Sequence, residues 1–266
     1  MPIYPLIPGA EPASYAGSGT RARTGVLVVH GLTGSPLIMR PLAEGLAARG
    51  FAVELPRLPG HGTHWRDMAS TRYADWRATV VGALATLRAR CERAVVVGLS
   101  LGGLLALDVL IAQPADLSGA VVVNAPFLDR PGRLSRLSPL IARVVPVLPR
   151  RLMGLAENDV ARPGVDSKAY RLVSTRAAAS VLPELARVRA GASRIERPVL
   201  VAHSRVDHSI DPASSRALLA VLGARGRELV LERSYHLATL DHDADLLLDR
   251  TAAFVDEVTG SPARGA

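Results

Sequence analysis

The chain has 266 residues, close to half of them apolar, and a formal net charge of +8. That length suits one α/β domain with an insertion better than two independent domains, and the apolar content argues against general disorder. The charge excess is nearly all scattered arginine, with Lys168 the single lysine, and no helix-turn-helix, zinc-finger or aromatic-basic pattern turns it into a nucleic-acid site.

In chain order, the proline-rich start Met1-Pro-Ile-Tyr-Pro lacks the basic flank of a signal peptide. Val26 to His30 is the first apolar run that reads as a buried parallel strand. Pro36 to Arg49 reads as a helix closed by Gly50, Phe51 to Leu55 as a strand and Trp76 to Arg90 as a helix. Arg93 to Gly98 is a strand, Gly102 to Gln113 a helix and Gly119 to Asn124 a strand. After a break come the Pro198 to His203 strand, the Pro212 to Leu222 helix, the Glu228 to Glu232 strand and a helix from Asp243 to Val258. Strands alternating with helices predict an α/β fold, a mostly parallel sheet covered on both faces. No apolar run approaches the roughly 20 residues that span a bilayer, and residues 261–266 read as a loose tail.

The alternation fails from Ala125 to about Arg197, where no apolar strand is expected. Leu134 to Leu148 is apolar enough for a helix or two, and Ala177 to Ala190 reads as a returning helix. So long an interval exceeds a connecting loop. The expected division is a core of residues 1–125 and 179–266 with a cap at 126–178. That cap segment holds ten basic and four acidic residues, +6 of the whole charge. Such a basic, apolar cap is open to transient contact with anionic lipid surfaces. Cys91, the only cysteine, excludes an intrachain disulfide and fits a reducing cytoplasm.

Gly98-Leu-Ser-Leu-Gly102 joins a Val-rich strand to an apolar helix. Small residues two places either side of Ser100 let strand and helix pack closely around a strained turn, which aims the hydroxyl outward. Ser100 is the candidate nucleophile, and a hydroxyl needs a base. Around such a serine the chain order is nucleophile, acid, histidine. Of seven histidines, only His236 follows the last strand and opens the loop before the final helix, so it is the candidate base. Asp207 and Asp211 both follow the strand ending at His203. Asp211-Pro212 has the look of a helix cap, whereas Asp207 stands directly off the strand end, and it is preferred as the orienting acid. The backbone N–H of Leu101 opens the helix behind the serine. That of Leu32, in the glycine-rich turn after the first strand, is the second candidate oxyanion donor. His61 and His64 lack a carboxylate ligand set, so no metal is expected. No phosphate-binding glycine loop implies a nucleotide cofactor.

These residues resemble the bacterial monoacylglycerol lipase and carboxylesterase group of α/β-hydrolases over nearly the whole chain. The motifs that carry the resemblance are His30-Gly-Leu-Thr-Gly34, Arg40-Pro-Leu-Ala-Glu44, Leu55 to His64, Gly98 to Gly103 and Ser234-Tyr-His-Leu-Ala-Thr-Leu-Asp241. The resemblance implies an α/β-hydrolase fold with a small inserted cap, a cofactor-free serine carboxylic-ester hydrolase, and lipid esters as substrates. It places the family's nucleophile, acid and histidine on Ser100, Asp207 and His236, and its oxyanion amides on Leu32 and Leu101. The cap from Phe127 to Asp166 departs from the family pattern, and Glu157, Asn158 and Ser167 stand as candidates for contacting the leaving alcohol. A short- or medium-chain carboxylesterase or thioesterase would use the same machinery. A C–C bond hydrolase and a ligand receptor on a hydrolase fold are the remaining alternatives. A cytoplasmic location, peripheral to membrane, is expected.

Overall fold

The computed structural model describes residues 4–112, 115, 117–128 and 144–260. Seven strands form one sheet: β1 (Ala13–Tyr15), β2 (Thr24–Val29), β3 (Ala52–Leu55), β4 (Arg93–Leu99), β5 (Leu117–Val123), β8 (Val199–Ser204) and β9 (Gly226–Leu231). They lie in the order β1-β3-β2-β4-β5-β8-β9. Every pairing is parallel except that of β1, which runs antiparallel along β3. β1, three residues long, carries no periodic signal and is absent from the sequence expectation.

The period-two alternation of the strands sorts the core into two layers. Val26, Val28, Val95, Val97, Val121 and Val123 pack with α1 (Pro36–Ala48) and α8 (Ala244–Thr259) on one face. Leu27, Val29, Val96, Ala120 and Val122 face the other layer. That layer holds α3 (Tyr73–Arg88), α4 (Leu101–Ile111), α6 (Val181–Gly191) and α7 (Ala213–Leu222). Because both faces are covered, the strands read as unbroken apolar runs. Asp108 of α4 is buried and takes Arg77 Nε at 3.0 Å, Arg187 Nη2 at 2.7 Å and Tyr73 Oη at 3.0 Å, which fastens α3 and α6 across α4.

Three expectations need correction. The interval between Ala125 and Arg197 does contain strands: β6 (Val147–Pro149) and β7 (Leu172–Ser174) pair antiparallel in a separate two-stranded sheet. At three residues each they are too short to show a period, and Pro149 sits where an edge strand tolerates it. The apolar stretch expected to be helical from Leu134 to Leu148 ends in β6, and its residues 134–143 lie outside the described residues. The returning helix is two, α5 (Thr175–Ala179) and α6. It breaks at Ser180, whose hydroxyl donates to Ala177 O at 2.6 Å and accepts Tyr73 N at 3.0 Å. A short helix, α2 (Trp65–Ala69), also went unpredicted.

Candidate active site

Four loops leave the C-terminal ends of parallel strands, where ligand sites of open α/β sheets gather. They bring Leu32 (after β2), Ser100 (after β4), Asp207 (after β8) and His236 (after β9) to one edge of the sheet.

Ser100 has φ 56° and ψ −118°, a left-handed conformation that costs a non-glycine residue about 1–3 kcal/mol. The neighbouring glycines make it affordable. A Cβ on Gly98 would lie 2.1 Å from Gly102 O, and one on Gly102 would lie 2.2 Å from Val29 O. Strand, turn and helix therefore interlock only with glycine at 98, and the start of α4 seats against the end of β2 only with glycine at 102. Ser100 N donates to Val123 O at 2.9 Å, and Leu104 N returns to Ser100 O at 3.1 Å. Leu101 is the first residue of α4, so its N–H is among those with no intrahelical acceptor. A Cβ on Gly31 would lie 3.1 Å from that of Ser100, so the Leu32 loop passes directly beside the serine.

His236 Nδ1 lies 2.8 Å from Asp207 Oδ2, and the two side chains are 6% and 1% exposed. The carboxylate accepts, so the ring proton sits on Nδ1 and Nε2 is left as the proton acceptor. The other oxygen of Asp207 accepts Ser209 N and Ile210 N, both at 2.7 Å, so the carboxylate cannot rotate away. Asp211, the competing acid, instead accepts Ala213 N at 2.8 Å at the start of α7. Ser100 and His236 line one small cavity of about 30 Å³ with Leu32, Arg150, Leu155, Ala169 and Ser209. A hydroxyl, an imidazole acceptor, an orienting carboxylate and helix-start amides at one point can carry out acyl transfer.

Sequence reasoning missed the residues that hold this constellation in place. Asn124, directly after β5, adopts φ 48° and is 2% exposed. Its side chain accepts Ser204 N at 2.8 Å and donates to Ser204 Oγ at 3.0 Å and His236 O at 2.8 Å. One amide thus joins three strand ends. The available signal was an asparagine closing a valine run, since asparagine tolerates the left-handed region. Asp241 accepts Tyr235 N, His242 N, Ala161 N and Arg162 N at 2.7–2.9 Å, tying residues 161–162 to the His236 loop. Asp159 does the same for the Asp207 loop through His208 N at 3.0 Å and His208 Nδ1 at 2.7 Å. Replacing Asn124 with Ala should lower stability by about 2–4 kcal/mol, because Ser204 N and His236 O are left buried and unpaired. It should lower kcat more than it raises KM; urea denaturation and ester kinetics on one preparation read both.

The other expected residues fall elsewhere. Glu157 and Asn158 are exposed. Asn158 is engaged with Val165 O and Ser167 N. The buried Ser167 and the exposed Glu157 are not among the residues found lining the cavity. Among the described residues no cluster of three potential metal ligands occurs.

A parallel sheet carrying a serine in a strand–turn–helix elbow, with a histidine and an aspartate on later strand ends, defines an α/β-hydrolase. The chain belongs to the serine-hydrolase family described as serine aminopeptidase, S33, whose match covers residues 20–243. It is 37% identical to the thermostable monoacylglycerol lipase of Bacillus sp. (strain H-257) over 97% of this chain and 98% of that one. A solved structure from work on LipS and LipT, two metagenome-derived lipolytic enzymes, is 35% identical with a TM-score of 0.87, covering 95% of this chain and all of the other. The monoacylglycerol lipase of Paleococcus ferrophilus, at 21% identity and a TM-score of 0.77 over 93% of this chain and 98% of its own, shares the fold.

Proposed function

We propose that this protein hydrolyses monoacylglycerols to fatty acid and glycerol through an acyl-enzyme on Ser100. The observation that carries the reading is the His236–Asp207 bond placed on the cavity that Ser100 lines. His236 takes the Ser100 proton as the hydroxyl attacks the ester carbonyl, and the N–H groups of Leu32 and Leu101 hold the oxyanion. The alcohol leaves with that proton, and a water repeats the sequence on the acyl-enzyme. The glycerol ester as substrate is supported by the relative that matches nearly the whole chain, a thermostable monoacylglycerol lipase.

Residues 126–178 serve as the cap over this site. The cavity beneath has room for a water or two rather than an ester, so substrate enters as the wall around Leu155 and Ala169 shifts. Among the described residues no helix is long and apolar enough to cross a membrane. The cap still presents apolar side chains to solvent, Val144 at 80% and Leu152 at 64% exposure, with Arg151 beside Leu152. That combination suits transient docking on anionic lipid from a cytoplasmic, peripheral position. An apolar cap surface such as Leu137 to Val145 would hold the acyl chain; its residues 137–143 lie outside the described residues.

The test is a panel of one acyl chain as monoacylglycerol, nitrophenyl ester and CoA thioester, on wild type and Ser100→Ala. We expect monoacylglycerol to give the highest kcat/KM and the Ala variant to lose turnover on every member. A preference for the thioester would move the assignment to a thioesterase, and turnover surviving in Ser100→Ala would remove the mechanism.

A further inference from the structure

Arg150 lines the same cavity as Ser100 and His236 and is 5% exposed. Its backbone is fixed at both ends, with Arg150 N donating to Arg171 O at 2.9 Å and Leu155 N donating to Arg150 O at 2.9 Å. Its side chain, by contrast, has no counter-ion in contact: Nε is buried without a hydrogen-bond partner, and among the described residues no carboxylate forms an ion pair with the guanidinium. The carboxylates whose charge acts on it are Glu157 and Asp159. Glu157 is exposed, and both Asp159 oxygens are already bound to His208. The comparably buried Arg21 shows what this protein otherwise does with such a side chain. It meets Asp256 through Nε at 2.8 Å and Nη2 at 2.6 Å.

A desolvated cation without a counter-ion is costly. Lining the cavity that the nucleophile also lines, Arg150 is a site awaiting a negative oxygen. Arginine offers only donors and a charge that does not titrate away, in a fork that matches phosphate. An acyl chain has no acceptor to give it, and the ester carbonyl is taken by the Leu32 and Leu101 amides, so the alcohol part of the substrate is what remains. A neutral hydroxyl would leave the charge uncompensated; a phosphate would neutralise it.

We propose that Arg150 is a specificity-determining residue that makes the alcohol side of the cavity an anion subsite, so that acyl esters of glycerol phosphate are substrates. The inference rests on the ester-hydrolase reading above. The covalent chemistry is unchanged. The acyl C–O bond to the glycerol oxygen breaks as the Ser100 Oγ–acyl bond forms, the serine proton passes through His236 to the departing oxygen, and the phosphate stays on glycerol.

The experiment compares 1-octanoylglycerol 3-phosphate, 1-octanoylglycerol and p-nitrophenyl octanoate, all below their aggregation limits, on wild type, Arg150→Met and Arg150→Lys. Loss of a charge-assisted contact predicts that the Met variant drops about 30- to 100-fold in kcat/KM on the phosphate ester. The drop should be under about 5-fold on the other two, with Lys recovering part of it. In wild type, glycerol 3-phosphate should inhibit nitrophenyl ester hydrolysis competitively while glycerol does not, a readout independent of whether the variants fold. The proposal is overturned by an equal fall on all three esters, by no fall on the phosphate ester, or by inhibition from neither alcohol. Wild type that leaves the nitrophenyl ester intact would instead remove the ester-hydrolase reading itself.

Discussion

Exchanging Asp207 for Asn should lower kcat on an ester by about four orders of magnitude while leaving the fold unchanged. The size of the effect follows from how the carboxylate is held. One oxygen is fixed by the N–H groups of Ser209 and Ile210, and the other accepts the His236 Nδ1 proton. An asparagine keeps its carbonyl on the two backbone donors, because turning its NH₂ toward them would oppose donor to donor. The NH₂ therefore faces His236, which must offer its Nδ1 lone pair and carry its proton on Nε2. That tautomer has no free acceptor for the Ser100 hydroxyl, so the base is lost with every atom nearly in place. Asp211→Asn is the matched control. Its carboxylate accepts Ala213 N at the start of α7, and an asparagine caps about equally well, so activity should stay within about 2-fold. Steady-state kinetics with circular dichroism on both variants decides the matter. A Asp207→Asn enzyme keeping a tenth of its activity would return the acid role to open competition.

The framework of this site was legible because its signals are local. Gly98 meets the first turn of its own helix and Gly102 the adjacent end of β2, and because both stand two residues from Ser100, the pair shows in sequence as a fixed spacing. Buried parallel strands likewise announce themselves as apolar runs, since neither face has to be polar. What escaped depends on partners far along the chain. Asn124 looks like any strand-ending residue until β8 and the His236 loop arrive beside it. Arg150 and Arg151 are identical letters in a Pro-Arg-Arg run, yet one is buried and lines the cavity of Ser100 while the other is exposed. An arginine-rich segment reads as a solvated face, and only the packing of the interval after β5 separates the two. The short strands β1, β6 and β7 fail for a simpler reason, since three residues cannot display a period.

Acidification should destabilise this protein steeply between pH 6.5 and about 4, through two histidines that take no direct part in the proposed chemistry. His30 and His61 are fully buried, with ring centroids 5.1 Å apart. Burial, and for His30 the neighbouring His61 charge, lowers His30 to about 3; burial lowers His61 to about 4. The bonds agree with neutral rings. His30 Nδ1 donates to Gly31 O at 2.9 Å while its Nε2 accepts Leu58 N at 3.1 Å, so a second ring proton would displace that bond. His61 Nδ1 donates to Pro59 O at 3.0 Å, and its Nε2 is buried with no partner for an added proton. Both folded values lie below the ordinary 6.5, so above pH 6.5 neither state of the chain binds the protons and no stability is lost. Below it the unfolded chain takes them up and the folded one does not, and the loss grows until the folded values are reached. From pH 7 to pH 5 that is about 2 kcal/mol for each ring, a large part of the 5–15 kcal/mol typical of a domain. Urea midpoints at the two pH values measure it. His61→Gln should lower stability at pH 7 but shrink the difference between pH 7 and pH 5 by about half, and an unchanged difference would show that other groups carry it. Because His30 opens the turn that bears Leu32, loss of its bond to Leu58 loosens the oxyanion loop, so activity should fail in acid before the chain unfolds.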